Sequence, residues 1–226
     1  MLKHFKLIET RNDYNNNVNQ LPYPCLMTIK EDEKLEYRTK KYDGDFDFFG
    51  VFEVKDEPQY IRLMDANVST CFKYVLIDGV EYTGYLSGRG FSDKLSVGKH
   101  LCQYKLVDTQ SQIPERAFLN CSEMVEAICT KTKLGSECFK NCVNLTSVTF
   151  QESVLFSIFN NSIFDGCSSL KQIICNSNKE VIFHDSTFTN IPENGVFYYP
   201  IGQKYEHILN YDLLGRFNWT KEAVKF

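Results

Sequence analysis

Cysteine and histidine are the side chains here that could ligate a metal or act as nucleophile and base, and the chain has 9 of the first and 4 of the second. Cys138 and Cys142 stand four apart, a spacing a metal could use, but no histidine lies at ligand spacing from them. Cys142 also belongs to a longer series that explains it without a metal. His4, His100, His184 and His207 fall in turns or at strand edges, and the pair His184-Asp185 stands alone. The chain lacks a G-x-S-x-G elbow. Gly88-Arg89-Gly90 reads as a loop tip rather than a phosphate cradle, because no helix start or G-K-[ST] follows it. Glu31-Asp32-Glu33 reads as a hairpin tip facing solvent. Carboxylate pairs for glycoside hydrolysis are defined by their separation in space, and nothing in the sequence singles one out. The expectation is a chain with no catalytic residue, no metal site and no cofactor.

The cysteines are odd in number and none forms a C-x-x-C pair. A disulfide framework would suit a secreted chain. The N-terminus MLKHFKLIETRNDYNN, however, has no apolar core or small-residue cleavage site, so it does not read as a signal peptide. No apolar run has the length of a membrane span. Reduced, buried thiols acting as small hydrophobes are therefore expected.

The series containing Cys142 is a repeat. IPERAFLNCSEMVEAI from Ile113, LGSECFKNCVNLTSVTF from Leu134 and FNNSIFDGCSSLKQII from Phe159 align. Each has a bulky apolar residue, Phe five positions on, Cys three after that, and another apolar residue three further. The Phe register is Phe118, Phe139 and Phe164; a degenerate copy without cysteine runs from Phe183 through Phe188 to Tyr199. One copy is too small to bury its own apolar face, so copies must stack. The Phe residues should form an internal ladder, with Cys121, Cys142 and Cys167 as a thiol column beside it. Val148 and Phe150 should point inward and Ser147 and Thr149 outward, the period of a strand. Asn120 and Asn141 suit the bend before each cysteine, and Gly166 supplies freedom there.

With these cores, AFLNC, CFKNC and IFDGC, residues 111–199 resemble the BspA-type leucine-rich repeats, whose units read roughly I-x-x-x-A-F-x-x-C-x-x-L-x-x-V. The resemblance implies a short solenoid that binds or scaffolds. Solenoid ends need covering, and residues 200–226 suit a cap. There Tyr205, Ile208 and Leu209 lie at helical spacing, Gly215 is a stop, and Phe217, Trp219 and Val224 add bulk.

Upstream, short strands are expected at Leu26–Ile29, Leu35–Tyr37, Phe49–Val54, Tyr60–Met64, Phe72–Ile77, Val80–Tyr85 and His100–Leu106. Asp78-Gly79 between apolar runs predicts a two-residue hairpin turn. SGRGFSDKLSVGKH reads as a long loop. The order of a DGVE hairpin, a VGKH turn, a last strand and then repeats is similar to a module of predicted virion proteins of crAss-like and other gut phages. The opening FKLIETRNDYNNNVNQLPYPCLMTIKEDEKLEYR is similar to a recurring start of such proteins. This resemblance implies a particle component assembled in a host cytoplasm.

Composition agrees with a mainly β chain. It has 18 Phe and 13 Tyr, residues that favour pleated half-buried surfaces, while alanine is almost absent. A net charge of -4 with scattered basic residues argues against nucleic-acid binding. The expected architecture is an N-terminal β module (1–55), a small hairpin-rich β domain (56–110), a leucine-rich-repeat solenoid (111–199) and a cap (200–226). The repeats should complete their own core. The aromatic cluster Phe46, Phe48, Phe49 and Phe52 beside unpaired strand edges invites β-addition from a neighbour, so these residues are the candidate assembly contacts. The outward ladder Ser147, Thr149, Gln172, Ile174, Val196 and Tyr198 is the candidate binding surface. Partners would be other virion proteins or copies of the chain. An alternative is a bacterial surface or mobile-element adhesin that binds a host surface receptor, protein or glycan.

Overall fold

A computed structural model describes residues 26–31, 34–39, 46–82, 91–130, 133–151, 162–176, 186–202 and 216–225. Strands β1 (Leu26–Glu31) and β2 (Lys34–Thr39) pair antiparallel as a separate hairpin. Next come β3 (Phe48–Val54), β4 (Gln59–Met64), a 3-10 segment (Ala66–Cys71), β5 (Phe72–Ile77), β6 (Val80–Glu81), β7 (Phe91–Leu95) and β8 (Gly98–Leu106). The repeats supply β9 (Gln112–Ile113), β10 (Met124–Cys129), β11 (Lys133–Leu134), β12 (Ser147–Phe150), β13 (Gln172–Cys175), β14 (Val196–Pro200) and β15 (Thr220–Val224).

The chain is mainly β, and residues 112–224 wind as a solenoid of about 3 turns. Strands β10, β12, β13, β14 and β15 stack parallel, with Val148 beside Ile173 and Ile173 beside Phe197. Parallel strands joined by wide turns are the geometry that lets identical positions of successive copies meet. The Phe ladder follows directly. Phe118 and Phe139 stack at 5.5 Å, Phe139 and Phe164 at 5.7 Å, and Phe164 and Phe188 at 5.5 Å, with planes within 11° of parallel.

The solenoid does not complete its own core. Its first strand β10 pairs antiparallel with β3, and the sheet continues through β8, β5 and β6 to nine strands. Phe48 of β3 stacks on Phe118 at 4.4 Å and so becomes the first ring of the ladder. Asp65 N–H donates to Ala117 O at 2.7 Å, on the side where each later coil bonds its neighbour. The N-terminal part thus occupies the place of a preceding coil. One buried cluster joins Phe48, Val75 and Tyr104 to Phe118, Phe164 and Phe197. The sheet also runs across the boundaries expected at residues 55 and 110.

Two further expectations change. The long loop over residues 87–100 contains a strand: β7 pairs antiparallel with β4, Ile61 lying opposite Asp93. The flanking Gly and Ser residues masked an alternating stretch that ends on buried Leu95. At the other end the solenoid passes residue 199, for β15 is a further parallel strand in register with β14, Phe197 lying beside Lys221. Trp219 closes this coil. Its indole N–H donates to Pro192 O at 2.8 Å, and its ring lies so close over Gly195 that an added Cβ would come within 2.2 Å. Phe217 packs on the same core. Tyr205, Ile208, Leu209 and Gly215 lie outside the described residues.

The predicted hairpin turn is present. Asp78 and Gly79 take φ of 50° and 82°, the left-handed pair of a two-residue turn that matches strand twist.

Candidate interaction surface

The first three copies each bring their Phe between two residues in the left-handed region, Ser162 and Gly166 being the pair around Phe164. The other pairs are Arg116 and Asn120 around Phe118, and Glu137 and Asn141 around Phe139, with φ between 55° and 61°. The chain thereby turns twice and points the ring inward. The N–H groups of Arg116, Phe118 and Asn120 donate to carbonyls of Ser136, Cys138 and Lys140 in the next coil. Asn141 Nδ2 donates to Asn120 Oδ1 at 3.0 Å, and Asn218 Nδ2 donates to Asn194 Oδ1 at 3.0 Å. Gly166, at φ +75°, holds the equivalent bend in the third copy, where a Cβ would meet Asn141 Oδ1 at 2.4 Å. The expected role of these bends is met.

The thiol column is also met, and its chemistry is structural. Cys121, Cys142 and Cys167 are fully buried. Cys142 Sγ donates to Phe118 O and Cys167 Sγ to Phe139 O, each at 3.1 Å and each one coil back. A thiol is small enough for the column and adds a second, weak donor to a carbonyl that already accepts a backbone N–H, that of Cys121 on Phe118 O and that of Cys142 on Phe139 O, each at 3.1 Å. Burial pushes the Cys142 thiol up to about 12 and raises Cys121, Cys138 and Cys167 as well, so these side chains stay protonated as small hydrophobes. Among the described residues eight cysteines are free thiols, Cys71 being half-buried. Cys25 lies outside the described residues. Among the described residues no set of His, Cys, Asp and Glu is arranged to hold a metal. His4, His184, His207 and Gly88-Arg89-Gly90 lie outside them.

Charged side chains run along the turn side as a ladder that neutralises itself. Arg116 Nε donates to Glu137 at 2.5 Å, and Lys140 lies 3.5 Å from Glu137 and 3.0 Å from Asp165. The hydrogen bond from Arg116 lowers the Glu137 carboxyl. Burial opposes ionisation of Asp165, but bonds from Thr189, Asn190 and Lys140 outweigh it and leave that carboxyl lowered too.

The candidate binding ladder sits on the sheet face opposite the Phe column, as its alternation required, but that face is not open to solvent. Thr149, Ile174 and Tyr198 are 1%, 0% and 3% exposed, Ser147 is also buried, and Gln172 and Val196 are half-buried. Ile174, Tyr198 and Val224 form an apolar cluster of their own with Val196. Farther along the same face, Phe46, Phe49, Val51, Leu101, Val125 and Ile128 form another. A two-residue period assigns side chains to opposite faces and says nothing about what covers each. Positions open to water lie before the strands, in the loops leading into them: Val143, Thr146, Ser168, Lys171 and Glu193.

The four candidate assembly rings are placed inside the chain. Phe48, Phe49 and Phe52 have no exposed surface and Phe46 is 9% exposed. Phe48 belongs to the main core, and Phe46 meets Phe49 at 5.8 Å and Tyr74 at 5.6 Å on the other face. The strand edge they flank is paired on both sides within this chain, by β8 and β10.

Among the described residues no helix is long and apolar enough to cross a membrane. No curated protein and no solved structure matches the chain. Residues 97–202, just under half of the chain, match the family model of the BspA type leucine rich repeat region in 6 copies, so this part of the chain is a leucine-rich-repeat solenoid, a fold that generally works by binding other proteins.

Proposed function

We propose that the chain is a non-enzymatic structural protein of a bacteriophage particle, in its capsid, collar or tail appendage, with the solenoid as protein-binding element or spacer. The observation that supports this most is the order of parts. A DGVE hairpin and a VGKH turn lead through one strand into repeats, the arrangement similar to phage virion modules, and here β5, β8 and the coils form one sheet. Fully buried thiols bonded to backbone carbonyls one coil back serve packing, in keeping with a scaffold. Contacts with other virion proteins, or with copies of the chain, fall to the open loop positions Val143, Thr146, Ser168, Lys171 and Glu193, since the strand rows are buried or half-buried.

The test is an antibody raised against the chain, used on density-purified particles with mass spectrometry of the same fractions. A particle component will label at fixed sites and hold constant stoichiometry through repeated banding. Recovery in the bacterial envelope, with none in banded particles, would overturn this reading in favour of the adhesin.

A further inference from the structure

We propose that His100 is a proton-operated clasp that ties the turn after β7 to the turn after β5 and releases the first of them when it loses a proton. His100 is 4% exposed, yet both ring nitrogens have partners. Nδ1 lies 2.8 Å from Asp78 Oδ2, and Nε2 lies 2.8 Å from the carbonyl oxygen of Ser96. A carbonyl only accepts, and so does an ionised carboxylate. Both nitrogens must then donate, and only the imidazolium has two N–H groups. A neutral ring satisfies one bond and turns a lone pair towards an oxygen at the other.

Which bond survives follows from charge. Keeping the proton on Nδ1 preserves the bond to Asp78, whereas moving it to Nε2 would aim a nitrogen lone pair at a carboxylate oxygen. Asp78 is itself fixed: its Oδ1 accepts from Leu101 N–H at 2.9 Å, and its own N–H donates to Leu101 O at 2.9 Å. The Ser96 bond is the one that opens. The sign is therefore that of a cation: the second tie is present at low pH and lost as pH rises.

The charges around the ring, among the described residues, come from several strands. Asp78 lies on the β5–β6 turn. Asp93 of β7 acts, as Asp78 does, on the thiol of Cys102, two residues along β8. On β3 the residue across from His100 is apolar Phe52, and its neighbour Glu53 lies across from Lys99, which is 3.6 Å from Glu126. Ser96 and Val97 form the short link between the two-stranded β4–β7 sheet and the nine-stranded sheet. Val97 is 46% exposed, so the link runs along the surface. Opening the clasp loosens the hinge between the two sheets without breaking either ladder.

The experiment is a ring-nitrogen NMR titration of the full chain, carried from acid to mildly alkaline solution, with His100→Gln identifying the signal. Amide exchange, corrected for intrinsic base catalysis, is followed at Val97 and Gly98 and at Gly79 and Leu101. The expected result is two ring protons at low pH and one, on Nδ1, at high pH. Exchange at Val97 and Gly98 should rise about tenfold, the loss of one charge-assisted bond, while Gly79 and Leu101 hold. Asp78→Asn keeps a favoured Asn-Gly turn and serves if His100→Gln does not fold; it should move the opening to lower pH. A ring with one proton throughout, exchange at Val97 that ignores the ring's titration, or an Asp78→Asn variant with unshifted opening would overturn the clasp.

Discussion

The solenoid and the N-terminal module share one sheet and one core but are built on opposite terms. In the solenoid, contacts repeat: Phe on Phe, thiol to carbonyl one coil back, asparagine to asparagine. In the module no contact repeats, and strands pair antiparallel with partners far away in sequence, as β3 does with β10. A periodic stack stabilises its interior coils well and its ends poorly, because an end coil lacks a neighbour on one side. The module solves that problem at the first coil with a strand, a ring and a backbone donor, while the last coil relies on Trp219. The comparison teaches that the aperiodic part is where the chain's integrity is decided.

The largest effect should come from removing the module. A chain of residues 111–226 exposes the β10 edge and one face of Phe118, and we expect it to aggregate or lose its far-ultraviolet β signal. A monomeric, folded fragment in size exclusion would show the solenoid to be self-sufficient after all. Next, Phe48→Ala and Phe139→Ala should each cost about 3–5 kcal/mol, as for buried aromatics. Both should lower the midpoint of a single urea transition. If Phe48→Ala instead splits the transition in two, module and solenoid unfold separately. At the far end, Trp219→Ala should cost about 3 kcal/mol, the low end for a large buried aromatic, because it disturbs a terminal coil. Amide exchange should then rise in β15 before β12.

Smaller effects sharpen the picture without threatening the fold. Denatured under non-reducing conditions, the chain should titrate 9 thiols. In the native state half-buried Cys71 should react well before the ladder cysteines. The smallest effect is electrostatic. Glu137 is lowered in the folded state, so its contribution is present above its unfolded titration and lost as pH falls through the folded one. Glu137→Gln should flatten that part of the acid-stability profile while barely changing stability in high salt.

What could be read from the sequence follows the same division. The Phe and Cys columns were legible because Phe118, Phe139 and Phe164 recur with the same neighbours, and stacking admits few alternatives. The bends at Asn120 and Asn141 were legible for the same reason. The aromatic density around Phe48 was visible too, but its partner Phe118 lies far downstream and nothing local names it. Alternation puts Ser147 and Thr149 on the face away from Val148. Their burial depends on what lies over that face, which alternation does not encode. β7 was hidden because glycine and serine around it signal loop more strongly than Leu95 signals core.

The identical rungs also make the solenoid a ruler. Phe118, Phe139 and Phe164 occupy equivalent places with Phe188 as the next ring, and both special ends lie outside the series. Duplicating one unit would slide Trp219 away from Phe48 by about 4.8 Å, the spacing of neighbouring strands, and leave every other pairing as it was. Copy number in such a chain sets a distance, adjustable in fixed increments by gain or loss of whole units, with no new surface to invent and no old one to repair.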